Sequence, residues 1–272
     1  MNRFYEMNRI DVRFKELRAR REKAFIVYLT AGYPDLSTTK KLILEMAKIG
    51  VDIIELGVPF SDPLADGPII QQSSQEALKK GVSLAGILNL ARAIRMDSDI
   101  PLVLMSYYNP INAYGLKRFV RDAKRSGIDG LIVPDLPPEE GRNLKKEMER
   151  AELDLIFLAA PTSTFKRIRK IADASRGFIY YVSLTGVTGV RKKVPPGIKE
   201  GISRIRRYTD KPICIGFGIS NPAQVKLMRG FGDGLIVGSA IIQVMERNQG
   251  KRLIPETIAF VEKLLKACKK DG

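Results

Sequence analysis

The chain of 272 residues contains no histidine. That absence excludes a Ser-His-Asp triad, a histidine acid or base and every histidine-bearing metal site. No metal is expected, and proton transfer must fall to carboxylates, tyrosines, lysines or cysteines. Cysteine is nearly as scarce: Cys214 and Cys268 are the only two, on separate predicted elements, too few for a disulfide framework. Long apolar runs are missing as well. Nothing approaches the roughly 20 residues of a membrane span, and Met1 to Lys23 is charged and polar throughout. The expectation is a soluble, cytoplasmic protein without an export signal.

Acidic residues are outnumbered, 30 against 46 lysines and arginines, for a formal net charge of +16. Such a balance raises the question of nucleic acid. The basic residues are nevertheless spread along the chain and mixed with acids. Their densest stretches are Arg18-Arg20-Arg21-Lys23, Arg191-Lys192-Lys193 and Lys266-Lys269-Lys270, and no DNA- or RNA-binding motif accompanies them. Solvated helix faces are the expected reading, with anion attraction and nucleic-acid binding as the alternatives.

What is present is an alternation of short β-branched runs with longer helical patterns. Strands are predicted at residues 25–30, 51–56, 101–106, 130–134, 155–159, 178–183, 212–216 and 234–237. Amphipathic helices are predicted at 38–49, 83–95, 116–126, 139–150, 165–174, 198–208, 222–229 and 255–267, with Gly50, Gly127 and Gly177 just after helices. Near-continuous apolar strands interleaved with helices predict an all-parallel sheet covered on its outside. Eight such units close most simply into a TIM (β/α)8 barrel, a single domain over residues 1–272. An open doubly wound sheet is the competitor. Two segments stand outside the repeat: an extra N-terminal helix at 9–20, placed to cap the barrel floor, and a short helix at 239–246 after strand eight.

In a barrel the strand C-termini and the loops after them form the active face. The second predicted strand ends in Val51-Asp52-Ile53-Ile54-Glu55, where period two puts Glu55 on one face with Val51 and Ile53. If that face is the interior, desolvation raises the pKa of Glu55 and keeps a proton available near neutral pH. If not, Glu55 is a glutamate ending a strand in solvent. The loop from Gly57 to Pro68 carries three prolines and two glycines and brings Asp66 eleven residues beyond Glu55. A long, stiffened loop on the active face commonly serves function. Two carboxylates in unlike environments can divide roles, one shuttling protons while the other stays ionised.

Phosphate-binding signals occupy the last quarter. Strand seven runs into Gly216-Phe217-Gly218-Ile219-Ser220-Asn221-Pro222, where Ser220 or Asn221 caps the next helix. Strand eight runs into Gly238-Ser239 and opens the short extra helix. Those two loops and that helix N-terminus are where barrels hold a phosphate. Strand six presents Phe178, Tyr180 and Val182 on one face, followed by a Gly/Thr-rich segment through Thr188 and Gly189 to Lys193, a lid or equally a mobile surface loop.

The stretch Glu55-Leu-Gly-Val-Pro-Phe-Ser-Asp-Pro-Leu-Ala-Asp-Gly-Pro68 resembles the signature of the tryptophan synthase α subunit family. The likeness continues through Thr30-Ala31-Gly32-Tyr33-Pro34, Pro134-Asp135-Leu136-Pro137, Gly186-Val187-Thr188-Gly189, Gly216-Phe217-Gly218-Ile219 and Gly238-Ser239-Ala240, in order over nearly the whole chain. The resemblance implies a lyase that cleaves indole-3-glycerol phosphate to indole and glyceraldehyde 3-phosphate in tryptophan biosynthesis. It implies that Glu55 performs the acid/base transfers, that Asp66 stabilises charge developing at the indole nitrogen, and that Tyr180 assists positioning. Gly189, Gly218, Gly238 and Ser239 would cradle the phosphate, and Thr188 would meet Asp66 from the lid. Tyr28, Met105, Ile132 and Phe217 would pack around the indole. Position 28 is tyrosine where the family can carry phenylalanine, and Met105 stands where leucine can occur, so the slot stays flat and apolar with altered dimensions. The resemblance further implies a β subunit that carries pyridoxal phosphate and receives indole, in an alpha2beta2 complex, contacted by loop Pro59–Asp66 and especially by Pro59, Asp62 and Pro63. The cofactor would belong to that partner, with none on this chain.

Two other readings compete. A different phosphosugar barrel enzyme, such as an isomerase or a synthase acting on a related indole precursor, lacks an explanation for the full loop with its Asp66. A basic RNA-binding or scaffold protein on a barrel frame would show strong RNA affinity with a steep salt slope.

Overall fold

The computed structural model describes residues 7–182, 197–216 and 218–269. Its strands are β1 (Ala24–Thr30), β2 (Ile53–Gly57), β3 (Leu102–Met105), β4 (Gly130–Ile132), β5 (Asp154–Ile156), β6 (Leu158–Ala159), β7 (Ile179–Val182), β8 (Ile213–Gly216) and β9 (Gly234–Val237). All pair in parallel, in the order β5-β4-β3-β2-β1-β9-β8-β7-β6. The two ends of that order are one stretch of chain, interrupted only at Phe157, whose carbonyl accepts from the Tyr180 amide at 3.1 Å. The sheet therefore closes on itself, and the predicted eight-stranded barrel is observed with its fifth strand in two pieces.

Side-chain alternation sorts the strands into an inside and an outside. The inner cluster takes Ala24, Ile26, Ile53, Val103, Ile132, Ile156, Phe178, Tyr180, Cys214 and Ile236. Their neighbours, such as Val27, Ile54, Leu104, Leu131 and Ile215, join the much larger outer cluster beneath the helices. Period-two burial on both faces is what near-continuous apolar strands produce in a barrel wrapped by helices. Val51 falls in the outer cluster, because the strand begins only at Ile53. The face shared by Ile53 and Glu55 is the interior.

The helices are α1 (Arg9–Ala19), α2 (Leu36–Lys48), α3 (Pro68–Lys79), α4 (Leu84–Arg95), α5 (Tyr108–Tyr114), α6 (Leu116–Arg125), α7 (Arg142–Arg150), α8 (Phe165–Ala174), α9 (Ile198–Arg206), α10 (Pro222–Met228), α11 (Ser239–Arg247) and α12 (Leu253–Lys269). Helix α1 does cap the floor. Asn8 caps its first turn, accepting from the Ile10 amide at 3.0 Å, and Ile10, Phe14 and Leu17 join the inner cluster. The Phe14 ring meets Phe178 at 5.9 Å between centroids. Burying three such side chains is worth about 1.5–3 kcal/mol each, which ties the floor shut. Helices α3 and α5 have no counterpart in the sequence-based assignment.

The floor is also latched by acids. Asp52, Asp129 and Asp233, each just before a strand, accept a backbone N–H from the start of another strand: Phe25 at 2.7 Å, Leu102 at 2.8 Å and Ile213 at 2.8 Å. Each also meets a cation, with Lys269 on Asp52, Arg95 and Arg9 on Asp129, and Arg206 on Asp233. The latch gives the arginine-rich first helix a structural role, since Arg9 reaches both Asp99 and Asp129 and Arg18 donates to the Asp210 carbonyl. Asp154 departs from this pattern: it is the first residue of β5 itself, and period two turns it to the inner face with Ile156. It is fully buried, neither carboxylate oxygen has a hydrogen-bond partner among the described residues, and the Arg176 Nε lies 3.6 Å away. Burial, with Asp11 adding repulsion, pushes its pKa up to about 7.

Candidate active site

Glu55 lies on the inner face of β2, in register with Tyr28 on β1 and Val103 on β3. It is 1% exposed, and neither carboxylate oxygen has a hydrogen-bond partner among the described residues. A carboxylate in such surroundings would be costly, so the proton stays on. Burial, and then the charge of Asp66, raise the pKa of Glu55 to about 8.

Asp66 reaches the same mouth from the loop after β2. That loop is fixed at several points. The Val58 amide donates to the Met105 carbonyl at 2.8 Å, the Asp66 amide to the Pro63 carbonyl at 3.0 Å, and the Gln71 side chain to the Asp66 carbonyl at 2.8 Å. Pro68 then opens α3, where its missing N–H costs nothing. The Asp66 carboxylate accepts from the Tyr107 hydroxyl at 3.2 Å. Burial raises its pKa to about 6, opposed by that hydrogen bond. Between about 6 and about 8 the pair therefore holds one proton on Glu55 and a negative charge on Asp66, the division of roles required of two unlike carboxyls.

Two buried phenols flank the acids, each lodged over a glycine. A Cβ on Gly57 would lie 2.1 Å from the Tyr28 hydroxyl, and one on Gly216 would lie 2.4 Å from the Tyr180 ring and hydroxyl. The Tyr28 hydroxyl also touches Thr30 Oγ1 at 3.5 Å, which bonds Ser73 Oγ at 2.6 Å and so links the mouth to α3. Burial, and then the charge of Glu55, drive the Tyr180 pKa far upward, so this phenol stays protonated. Gly57, Met105 and Ile132 form one row across three strands. Ile132 is fully buried and Met105 half-buried.

On the far side of the mouth, Gly218 sits at the rim with a φ of 72°. Gly238 packs closely against Tyr28, whose nearest carbons would lie 3.1 Å from any Cβ at that position. It precedes Ser239 at the start of α11. No side chain caps α11, and its Ile241 amide turns back to the Gly238 carbonyl at 2.8 Å, so the Ser239 and Ala240 amides lead the helix without an intrahelical partner. Helix α10, by contrast, is closed by Asn221, which accepts from the Gln224 amide at 3.0 Å, settling the choice between Ser220 and Asn221. Thr188, Gly189 and Phe217 lie outside the described residues.

The loop residues expected to meet a partner are placed differently from one another. Asp62 is exposed and Pro63 half-exposed, whereas Pro59 is buried and offers no surface. Leu64 takes its place as the outward apolar group, at 85% exposure. Phe60, Asp62, Leu64, Tyr107 and Asp135 line an open depression of about 430 Å³ on the rim. Glu55 is not among its walls, so this depression belongs to the outside of the loop rather than to the acid pair. Sequence reasoning missed Tyr107, although an aromatic residue just past the end of β3 is where a barrel places functional groups.

The site defines a class: a closed (β/α)8 barrel whose mouth pairs a proton-bearing glutamate with an ionised aspartate, near an uncapped helix N-terminus. Comparison with known proteins narrows the class. The family described as tryptophan synthase alpha chain matches residues 14–269. The tryptophan synthase alpha chain of Geotalea uraniireducens is 48% identical over 266 residues, covering 98% of this chain and 100% of its own. That of Thermoanaerobacter sp. strain X514 is 47% identical over 95% of this chain and 98% of its own. Among solved structures, a chain of Mycobacterium tuberculosis tryptophan synthase superposes with a TM-score of 0.90 at 36% identity, covering 98% of this chain and 100% of its own. Tryptophan synthase subunit alpha of Legionella pneumophila gives 0.88 at 34% identity, covering 96% and 98%. The chain belongs to the tryptophan synthase alpha chain family.

Proposed function

We propose that this chain, as one cytoplasmic barrel domain, cleaves indole-3-glycerol phosphate to indole and glyceraldehyde 3-phosphate by a retro-aldol step. It does so as the alpha subunit beside a pyridoxal-phosphate-bearing beta subunit that takes up the indole, in tryptophan biosynthesis. The observation that carries the reading is Glu55, buried in the mouth and without a hydrogen-bond partner among the described residues, within reach of the charge of Asp66. Cleavage needs a proton on the indole carbon that bears the side chain, relief of positive charge at the ring nitrogen, and removal of the side-chain hydroxyl proton. Protonated Glu55 supplies the first proton. As a carboxylate it then removes the hydroxyl proton while the carbon–carbon bond breaks, and it ends the cycle as it began. Asp66 faces the ring nitrogen as an anion.

Tyr28, Met105, Ile132 and Phe217 supply the apolar slot, and Tyr180 orients the substrate from across the barrel. Gly218, Gly238 and Ser239, with Gly189, hold the phosphate, and Thr188 closes on Asp66. Asp62 and Pro63, with Leu64, offer the partner surface. No helix among the described residues is long and apolar enough to cross a membrane. The test is direct. Purified chain, alone and with a beta subunit, is incubated with indole-3-glycerol phosphate and assayed for indole. Glu55→Gln should abolish release while leaving phosphate-ligand binding near normal. Full turnover by the variant would remove Glu55 from its role, and absence of indole from the unaltered complex would overturn the function.

A further inference from the structure

The hydroxyl of Tyr107 does two things at once. It donates to Asp66 Oδ2 at 3.2 Å and accepts from the Ala65 amide at 2.8 Å, gripping two consecutive residues at the end of the loop. Its ring packs on Phe60 of the same loop, with centroids 5.2 Å apart. The residue itself is held firmly. It is 6% exposed, its carbonyl accepts from Ser106 Oγ at 3.0 Å, and the next amide, of Tyr108, is tied to Asp135 at 3.0 Å. A rigid phenol at the end of β3 thus determines where a carboxylate carried by the long loop after β2 can point.

The other titratable groups around Asp66 do not help its anion. Glu55 faces it from β2, Tyr28 from β1 and Tyr180 from β7, and Asp135 faces Tyr107 from the segment after β4. All are carboxyls or phenols, and no cation among the described residues forms an ion pair with Asp66. Among the described residues, the one side-chain hydrogen bond its carboxylate receives is that of Tyr107.

We propose that Tyr107 is the positioning residue of the acid pair, fixing the orientation of Asp66 and keeping it ionised by a hydrogen bond from its phenol. This rests on the reading of Asp66 as the group that faces the indole nitrogen, and its test separates the two ideas. Tyr107→Phe keeps the ring and its contact with Phe60 while removing the hydroxyl. A hydrogen bond donated to a carboxylate favours its charged form even at the 3.2 Å found here, and its loss moves the Asp66 titration upward by about one pH unit. The acidic limb of kcat/KM moves with it. The variant loses about fivefold near pH 6 and less than about 1.5-fold near pH 7.5, with the loss in kcat rather than KM.

The second readout needs no turnover. The carboxyl infrared band of Asp66, assigned by its disappearance in Asp66→Asn, is titrated in the unaltered chain and in Tyr107→Phe. A band that titrates higher in the variant supports the proposal whether or not either protein releases indole, so a failed assay with a shifted band counts against the function alone. An unmoved band overturns the proposal. An equal loss of activity at every pH also overturns it, since a merely structural tyrosine would produce that.

Discussion

Asp154 is a charge in a place built for a neutral group, and replacing it with asparagine should stabilise the protein only when the pH is high enough to ionise the acid. Its folded-state pKa of about 7 stands about three units above the 3.8 of an unperturbed aspartate. At about 1.4 kcal/mol per unit, ionisation costs the fold up to roughly 4 kcal/mol. The folded form holds the proton more tightly than the unfolded one. The penalty is therefore absent below about pH 4, grows between about 4 and 7, and is complete above 7.

Asp154→Asn keeps the shape and removes the titration. The amide also lacks partners, but that cost does not vary with pH and cancels when the two proteins are compared across a pH series. For a chain of this length the full penalty corresponds to a difference of roughly 7 °C in Tm. Thermal melts of both proteins from pH 4.5 to 8.5 should show the difference growing through that range in favour of the variant, by several degrees at its top. A difference that stays constant with pH would refute the reasoning, because it would mean that Asp154 titrates alike in the folded and unfolded chain. Arg176→Met should steepen the effect, since Arg176 is the cation that lowers the Asp154 pKa most.

The free enzyme should show a bell-shaped pH dependence of kcat/KM with limbs about 6 and about 8, the values for Asp66 and Glu55, read as properties of the interacting pair. A profile flat from 5 to 9 would contradict it. Asp129→Ala should cost about 3–5 kcal/mol by urea unfolding, because it takes the paired carboxylate from Arg95, whose side chain is 10% exposed, and frees the Leu102 amide. A loss under about 1 kcal/mol would mean that the floor latch carries little weight. Gly57→Ala should displace the Tyr28 hydroxyl, cost about 1–3 kcal/mol and lower turnover more than stability suggests. Unchanged activity and Tm would show that the Tyr28 ring moves aside freely.

Much of the frame was legible because a barrel writes itself in local patterns. The strands at 130–132, 213–216 and 234–237 and the helices at 165–174 and 198–206 fall inside the segments that apolar period and turn glycines mark. Helix α3 was hidden. It follows directly on a loop rich in proline and glycine, and Gln71-Gln72-Ser73-Ser74 gives little apolar stripe. Helix α5 has seven residues with Pro110 at its third position, too short for a period to emerge. The expected helix at 139 begins instead at Arg142, after a turn in which the Gly141 amide bonds the Pro137 carbonyl.

At the site, Glu55 and Asp66 could be picked out as residue types at strand ends, while their protonation could not. That depends on Tyr107, 41 residues from Asp66, and on partners that fail to arrive at Glu55. The role of the floor arginines is hidden from the sequence for the same reason: Arg9 finds Asp129 at a separation of 120 residues.

Helix α1, with Ile10, Phe14 and Leu17 driven into one end of the cylinder, makes the barrel a blind cup. Among the described residues the open end is the rim that also carries the acids and the loop. A molecule held beside Glu55 has no drain through the base and leaves towards the rim. Whatever sits on that rim thus covers the way out as well as the loop that carries Asp66, so docking there and emptying the cup are bound to affect one another.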